Sequence, residues 1–130
     1  MAVPKIILKY GSWESTEEIA DKLIQDLKRR KICKPDLLFR VMRRKYLKNI
    51  NLYGIDNPKK DKFSFYNEQE IYNDSENLLS LKYLIEEAPS VICIYDGDEF
   101  IIDGPYEYKF RNSNKKKQAL IAIYTFIPED

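Results

Sequence analysis

Residues 119–127, Ala-Leu-Ile-Ala-Ile-Tyr-Thr-Phe-Ile, are the strongest constraint on how this chain can fold: the run is apolar except at Thr125. A strand with no polar face has to be covered on both sides. Nine residues fall well short of the ~20 that a membrane helix needs. The run therefore predicts a central strand with packing layers above and below it. Residues 3–10 (VPKIILKY) predict a first strand bounded by Gly11, and Val91–Tyr95 another. Asp96-Gly97 is a hairpin turn signal, with Glu99–Ile102 as the returning strand and Asp103-Gly104-Pro105 as the next break. Between residues 106 and 118 two readings stand. Tyr106, Tyr108 and Phe110 alternate as in a strand, whereas the polar stretch 111–118 suits a short helix or a loop.

Helical signals dominate elsewhere. Ser15-Thr16-Glu17-Glu18 forms a capping box, and Ile19, Leu23, Ile24 and Leu27 recur behind it at helical spacing, which predicts a helix over about 16–30. Its terminal Lys28-Arg29-Arg30-Lys31 run suits the negative end of the helix dipole. Pro35 fits the first position of a second helix, reaching about residue 48. There Leu38, Val41, Met42 and Tyr46 form an apolar stripe. Arg40, Arg44 and Lys48 form a basic one, flanked by Arg43 and Lys45. Helix, turn and helix across 16–48 would give a helix-turn-helix layout. Residues 54–75 read as a polar excursion with one short strand around Phe63-Ser64-Phe65-Tyr66. Ser75 is expected to cap a largely buried third helix over 76–87, stopped by Pro89.

These elements make one α+β domain spanning 1–130, with two or three helices packed on a small, mostly antiparallel sheet. Residues 1–48 supply a strand and two helices with the basic stripe. Residues 49–130 supply an acidic excursion, a buried helix and the C-terminal strands. Apolar residues make up 44% of the chain, enough for a core, and charged residues 33%, above the usual quarter. There is no histidine, so histidine triads, bases and metal ligands are excluded. Cys33 and Cys93 fit no metal motif and are expected as reduced thiols in or near the core. Met1-Ala2-Val3-Pro4-Lys5 lacks the apolar run of a signal peptide. A cytoplasmic protein without membrane partner, metal or cofactor is therefore expected. Most of the ten tyrosines and six phenylalanines are expected as core residues, with Trp13 packed over the start of the first helix.

The net charge of +1 conceals a sharp segregation. Lys22–Lys62 carries fourteen Lys or Arg against four acids, Phe63–Glu107 carries eleven acids against Lys82 alone, and residues 108–128 add five cations. Charge separated in this way points to partners of one sign. The leading expectation is a small non-enzymatic nucleic-acid-binding or regulatory protein, of the virus- or plasmid-encoded kind. Its phosphate contacts would be Arg40, Arg43, Arg44, Lys45 and Lys48. The alternative is a protein-interaction module or inhibitor that turns the acidic half, 63–107, toward a basic partner.

Two family resemblances bear on function. Asp96, Asp98, Glu99 and Asp103 followed by Glu107-Tyr108-Lys109 resemble the PD-(D/E)xK nucleases. That resemblance implies a divalent cation held by Asp98 and Glu107, with Lys109 positioning water. Here no proline precedes the acid, and little chain follows Lys109. Over roughly residues 50–127, helix, strand, short strand and last strand, with Phe100-Ile101-Ile102-Asp103-Gly104 before the intervening segment, resemble the ParB/sulfiredoxin-like domain. That family has DNA-linked or nucleotide-phosphate roles. Of its phosphate-gripping motif only Gly104 carries over, since Pro105, Tyr106, Glu107 and Tyr108 bring no cation.

Overall fold

A computed structural model describes residues 3–32, 34–72 and 80–129. The strands are β1 (Lys5–Tyr10), β2 (Leu37–Arg43), β3 (Phe63–Ser64), β4 (Ser90–Asp96), β5 (Phe100–Ile102), β6 (Glu107–Phe110) and β7 (Leu120–Pro128). The helices are α1 (Thr16–Arg29), α2 (Leu47–Tyr53), α3 (Glu68–Tyr72), α4 (Leu81–Glu87) and α5 (Lys116–Ala119). The fold is α+β. A four-stranded sheet runs β1-β7-β4-β2, and a smaller one runs β3-β6-β5. Every strand pair is antiparallel except β1 with β7.

As the apolar run requires, β7 is an inner strand with a core on each face. On one side Ala122, Tyr124 and Phe126 join Ile92 and Ile94 of β4 under α1, α3 and α4. On the other, Leu120 and Ile123 join Val91, Cys93 and Tyr95 with Ile50 of α2, Ala119 of α5 and Phe63, Phe65 and Phe100. Period-two alternation along β4 thus feeds two separate cores from one strand. The second is dense in aromatic edges: the Phe65 ring lies 4.8 Å from Phe100 and 5.3 Å from Tyr95.

Local signals explain much of this. The Ser15 capping box forms, with both reciprocal hydrogen bonds. Several sequence expectations are corrected. Residues 37–43 form an edge strand and not the first half of a helix, so the helix-turn-helix layout over 16–48 does not exist. Leu-Leu-Phe-Arg-Val-Met-Arg has apolar residues at both periods. Seven register pairs with β4, which an isolated helix could not match, settle the conformation. Asp96-Gly97 does not close a hairpin. A single 3₁₀ turn, Gly97–Glu99, carries the chain from one sheet into the other. The expected cap Ser75 lies outside the described residues. Ser80 caps α4 instead, its hydroxyl accepting from Tyr83 N–H, and α4 is two-faced, with Leu81 and Ile85 buried and Tyr83 exposed. The open segment 106–118 resolves into both alternatives, β6 and then a short helical turn. Trp13 is 70% exposed, its indole lying against Gly11. Cys93 is a buried free thiol, and Cys33 lies outside the described residues.

One polar group is built into the first core. Asp26 on α1 is 2% exposed. It accepts a 2.7 Å hydrogen bond from the Tyr124 hydroxyl and pairs with Arg29 and with Arg30, the latter at 2.7 Å. Burial pushes the Asp26 carboxyl up, but the Tyr124 and Arg30 hydrogen bonds and the two guanidinium charges outweigh it, so the carboxyl titrates below its ordinary value. A depressed folded-state pKa stabilises the fold above the unfolded value of about 3.9 and ceases to do so as pH falls through the folded value. Asp26→Ala leaves the Tyr124 hydroxyl buried without this partner and should cost about 1–3 kcal/mol. In urea titrations, the gap between wild type and variant should be constant above about pH 5 and close below about pH 4.

Candidate nucleic-acid interface

The five cations expected along one helix occupy different settings. Arg40 lies on β2 and points into the second core. Its side chain is 15% exposed and pairs with Asp56 at 3.2 Å. It donates to the Ser64 carbonyl at 2.9 Å and lies 5.3 Å from the Phe63 ring centroid. Arg40 therefore holds the 55–65 segment against the sheet and is removed from the set of surface contacts. Arg43 at the end of β2, Arg44 and Lys45 in the following 3₁₀ turn, and Lys48 on α2 are all exposed. They form a short basic path from strand into helix, without the i, i+4, i+8 stripe.

That path meets a second basic tract. α2 ends at Gly54, which adopts a left-handed conformation with φ of 84°. A Cβ there would stand 2.7 Å from Lys117 Cα and 2.8 Å from the Lys116 carbonyl oxygen. Only glycine combines that φ with so close a backbone approach, and the approach places α5 beside α2. The Tyr95 hydroxyl, fully buried, donates to the Gly54 carbonyl at 2.5 Å, and burial pushes the tyrosine's pKa well above its ordinary value. Lys116 Nζ donates to the Pro58 carbonyl at 2.9 Å, joining α5 to the loop after α2. Lys60, Lys109 and Lys116, with Phe110, Ser113 and Asp61, line a pocket of about 280 Å³.

One surface thus runs from the 43–48 path through the 57–62 loop to β6 and residues 113–117. Lys45, Lys48, Lys59, Lys60, Lys62, Lys109, Lys115, Lys116 and Lys117 belong to it. Two of its acids are already engaged, Asp56 with Arg40, and Asp103 with Lys109 at 3.3 Å and Lys62 at 3.7 Å, while Asp61 shares the pocket with the lysines. Tyr46 and Tyr53 stand exposed at the two ends of α2, with Lys45 Nζ 5.1 Å from the Tyr46 ring centroid. The Lys115–Lys117 run was visible in the sequence. Its meeting with α2 was not, because nothing local to either tract encodes a contact across sixty residues.

The two charged halves do not cancel. Among the described residues, only Lys34–Asp96 at 3.6 Å and Lys62–Asp103 join the basic 22–62 tract to the acidic 63–107 tract. The nuclease-like residues are not brought together. Asp98 lies in the 3₁₀ turn before β5, and Glu107 opens β6 at the other end of a three-pair ladder. Lys109 faces Asp103. Oxygen ligands must lie within about 2.0–2.6 Å of one hard cation, which these positions do not allow, and no acidic or cysteine cluster able to hold a metal occurs among the described residues. Gly104 takes a φ of 107° in the β5–β6 turn. No helix among the described residues is long and apolar enough to cross a membrane. No protein-family model matches the chain, and no curated protein or solved structure matches it.

Gly54→Ala should cost at least about 1–2 kcal/mol from the left-handed backbone alone, with a further loss from contact with α5. Calorimetry should show a lower melting temperature, and any property of the joint α2–α5 surface should weaken with it. Arg40→Ala should destabilise clearly, because it strips Asp56 and two aromatic rings of their partner. Arg43→Ala should stay within about 0.5 kcal/mol of wild type.

Proposed function

We propose that this protein binds nucleic acid by its phosphate backbone, on the surface formed by the 43–48 path, α2, the 57–62 loop, β6 and residues 113–117. The observation that carries the proposal is the convergence of two sequence-distant lysine tracts at the α2–α5 contact, with Asp56 and Asp103 already paired. Exposed lysines give sequence-tolerant, salt-sensitive affinity. Carboxylate-free stretches such as Lys115–Lys117 suit the continuous charge of a strand. Tyr46 and Tyr53, set among the cations, supply faces on which unpaired bases can stack, a contact worth roughly 1–3 kcal/mol per base. Single strands are therefore the favoured ligand. The ParB/sulfiredoxin-like resemblance over 50–127 points the same way through that family's DNA-linked members. In this chain the phosphate-gripping role falls to the lysines flanking the α2–α5 contact.

Fluorescence anisotropy with labelled single-stranded and duplex oligonucleotides across a salt series tests this. Wild type should bind and weaken steeply as salt rises. Lys48→Ala/Lys60→Ala/Lys117→Ala together should flatten the log–log salt slope by about 2–3, close to one unit for each phosphate contact removed. Tyr46→Ala/Tyr53→Ala should weaken single-strand binding and spare duplex binding. Absence of salt-sensitive binding to either form at low ionic strength would overturn the proposal.

A further inference from the structure

A second concave surface shares no lining residue with the lysine-lined pocket. It is an open groove of about 740 Å³ between the head of β2, the start of α3 and the β5–β6 ladder. Two strand edges open into it. β5 is an edge strand of the small sheet. Its hydrogen bonds with β6 run through Glu99–Arg111 and Asp103–Glu107, which places Ile101 on the bonded side and turns the backbone N–H and C=O of Ile102 outward. β2 is an edge strand of the large sheet, and Phe39 exchanges both backbone bonds with Tyr66 on its outer side. By the same alternation Leu37, two residues earlier, also directs its N–H and C=O outward, beyond the end of that bridge. No hydrogen bond to these groups of Leu37 or Ile102 occurs among the described residues.

Side chains around these edges define what fits. Ile101 is 47% and Ile102 73% exposed, a large apolar surface for an edge strand to leave open. Asp36, Glu68 and Asp98 line the groove as exposed carboxylates. The one cation in the lining, Arg111, is engaged through its Nε with the Asp98 carbonyl at 2.9 Å.

We propose that this groove binds an extended, basic peptide segment of a protein partner by strand addition. The segment's backbone would pair with the outward groups of Ile102 and Leu37. Its side chains would set β-branched or other apolar residues against Ile101 on one face of the ladder and Ile102 on the other, and lysine or arginine against Asp36, Glu68 and Asp98. Main-chain pairing would supply the affinity and these side-chain contacts the selectivity, as in strand addition generally.

A displayed library of random twelve-residue peptides, selected on the purified full chain without nucleic acid, tests this. Enriched peptides should carry an excess of Lys and Arg together with Val, Ile or similar residues. They should bind Ile102→Lys at least tenfold more weakly, although that variant melts like wild type because Ile102 is mostly exposed. A bound peptide should slow amide hydrogen exchange at Leu37 and Ile102, and it should bind the Lys48→Ala/Lys60→Ala/Lys117→Ala variant unchanged, which separates this groove from the nucleic-acid face. Enrichment without a basic bias, equal binding by Ile102→Lys, or no protection at Leu37 and Ile102 would overturn the proposal. So would sedimentation showing a dimer that closes the groove with a second copy of the chain.

Discussion

The basic face exists because one α-carbon is bare. At Gly54 the chain must turn left-handed to end α2, present its carbonyl to the buried Tyr95 hydroxyl, and leave room for the backbone of α5. Any side chain would strain the first condition and collide at the third. Tyr95 belongs to the inner strand β4 and is itself enclosed by Phe65, Phe100 and Phe110. The position of a surface turn is thereby tied to the most aromatic part of the core. A surface whose geometry is fixed from beneath does not have to order its lysines afresh when a ligand arrives, and preorganisation of that kind lowers the cost of binding.

Layering distributes the charges that the sequence only counts. On the first core, α1 opens with Glu17 and Glu18, and α3 carries Glu68 and Glu70. The Tyr72 hydroxyl donates to Asp21 at 2.8 Å, and burial, that hydrogen bond and the charges of Asp21 and Glu68 push its pKa up to about 12. On the second core, α2, α5 and their loops carry the lysines. The four-stranded sheet stands between these helices. Surface charges farther apart than about 8 Å are largely screened at physiological salt. Each face can therefore meet its own partner.

What the sequence revealed follows from how local each signal is. The capping box at Ser15 and the apolar run 119–127 are satisfied within a few residues or demand burial whatever surrounds them, and both were legible. The stretch 37–43 was misread because Leu38, Val41 and Met42 fit helical spacing while Leu37, Phe39 and Val41 fit a strand face. Only pairing with β4, fifty residues away, decides between them. The candidate site suffered from the same ambiguity. Arg43, Arg44, Lys45 and Lys48 are on the surface as expected, but Arg40 became a core residue once the helix became a strand. Lys60 and Lys116 joined the site through contacts that no local pattern records. In the sequence Gly54 marks only the start of a polar excursion. Its closeness to Lys117 is a tertiary fact.

Arg40 nonetheless shapes the surface it left. Its pair with Asp56 is inset, each side chain about one-sixth exposed, and the guanidinium lies over Phe63 at a distance where cation and ring attract. Were Arg40 absent, Asp56 would stand unpaired beneath the lysines and offset part of their charge. With Arg40 in place, that carboxylate is neutralised from below, and Asn49 ties the Asp56 carbonyl to α2 at 2.9 Å. The arginine that sequence spacing assigned to a ligand thus serves the same surface indirectly. It keeps the loop seated and keeps the Asp56 charge from offsetting the outer cations, whose net positive field is what a phosphate backbone requires.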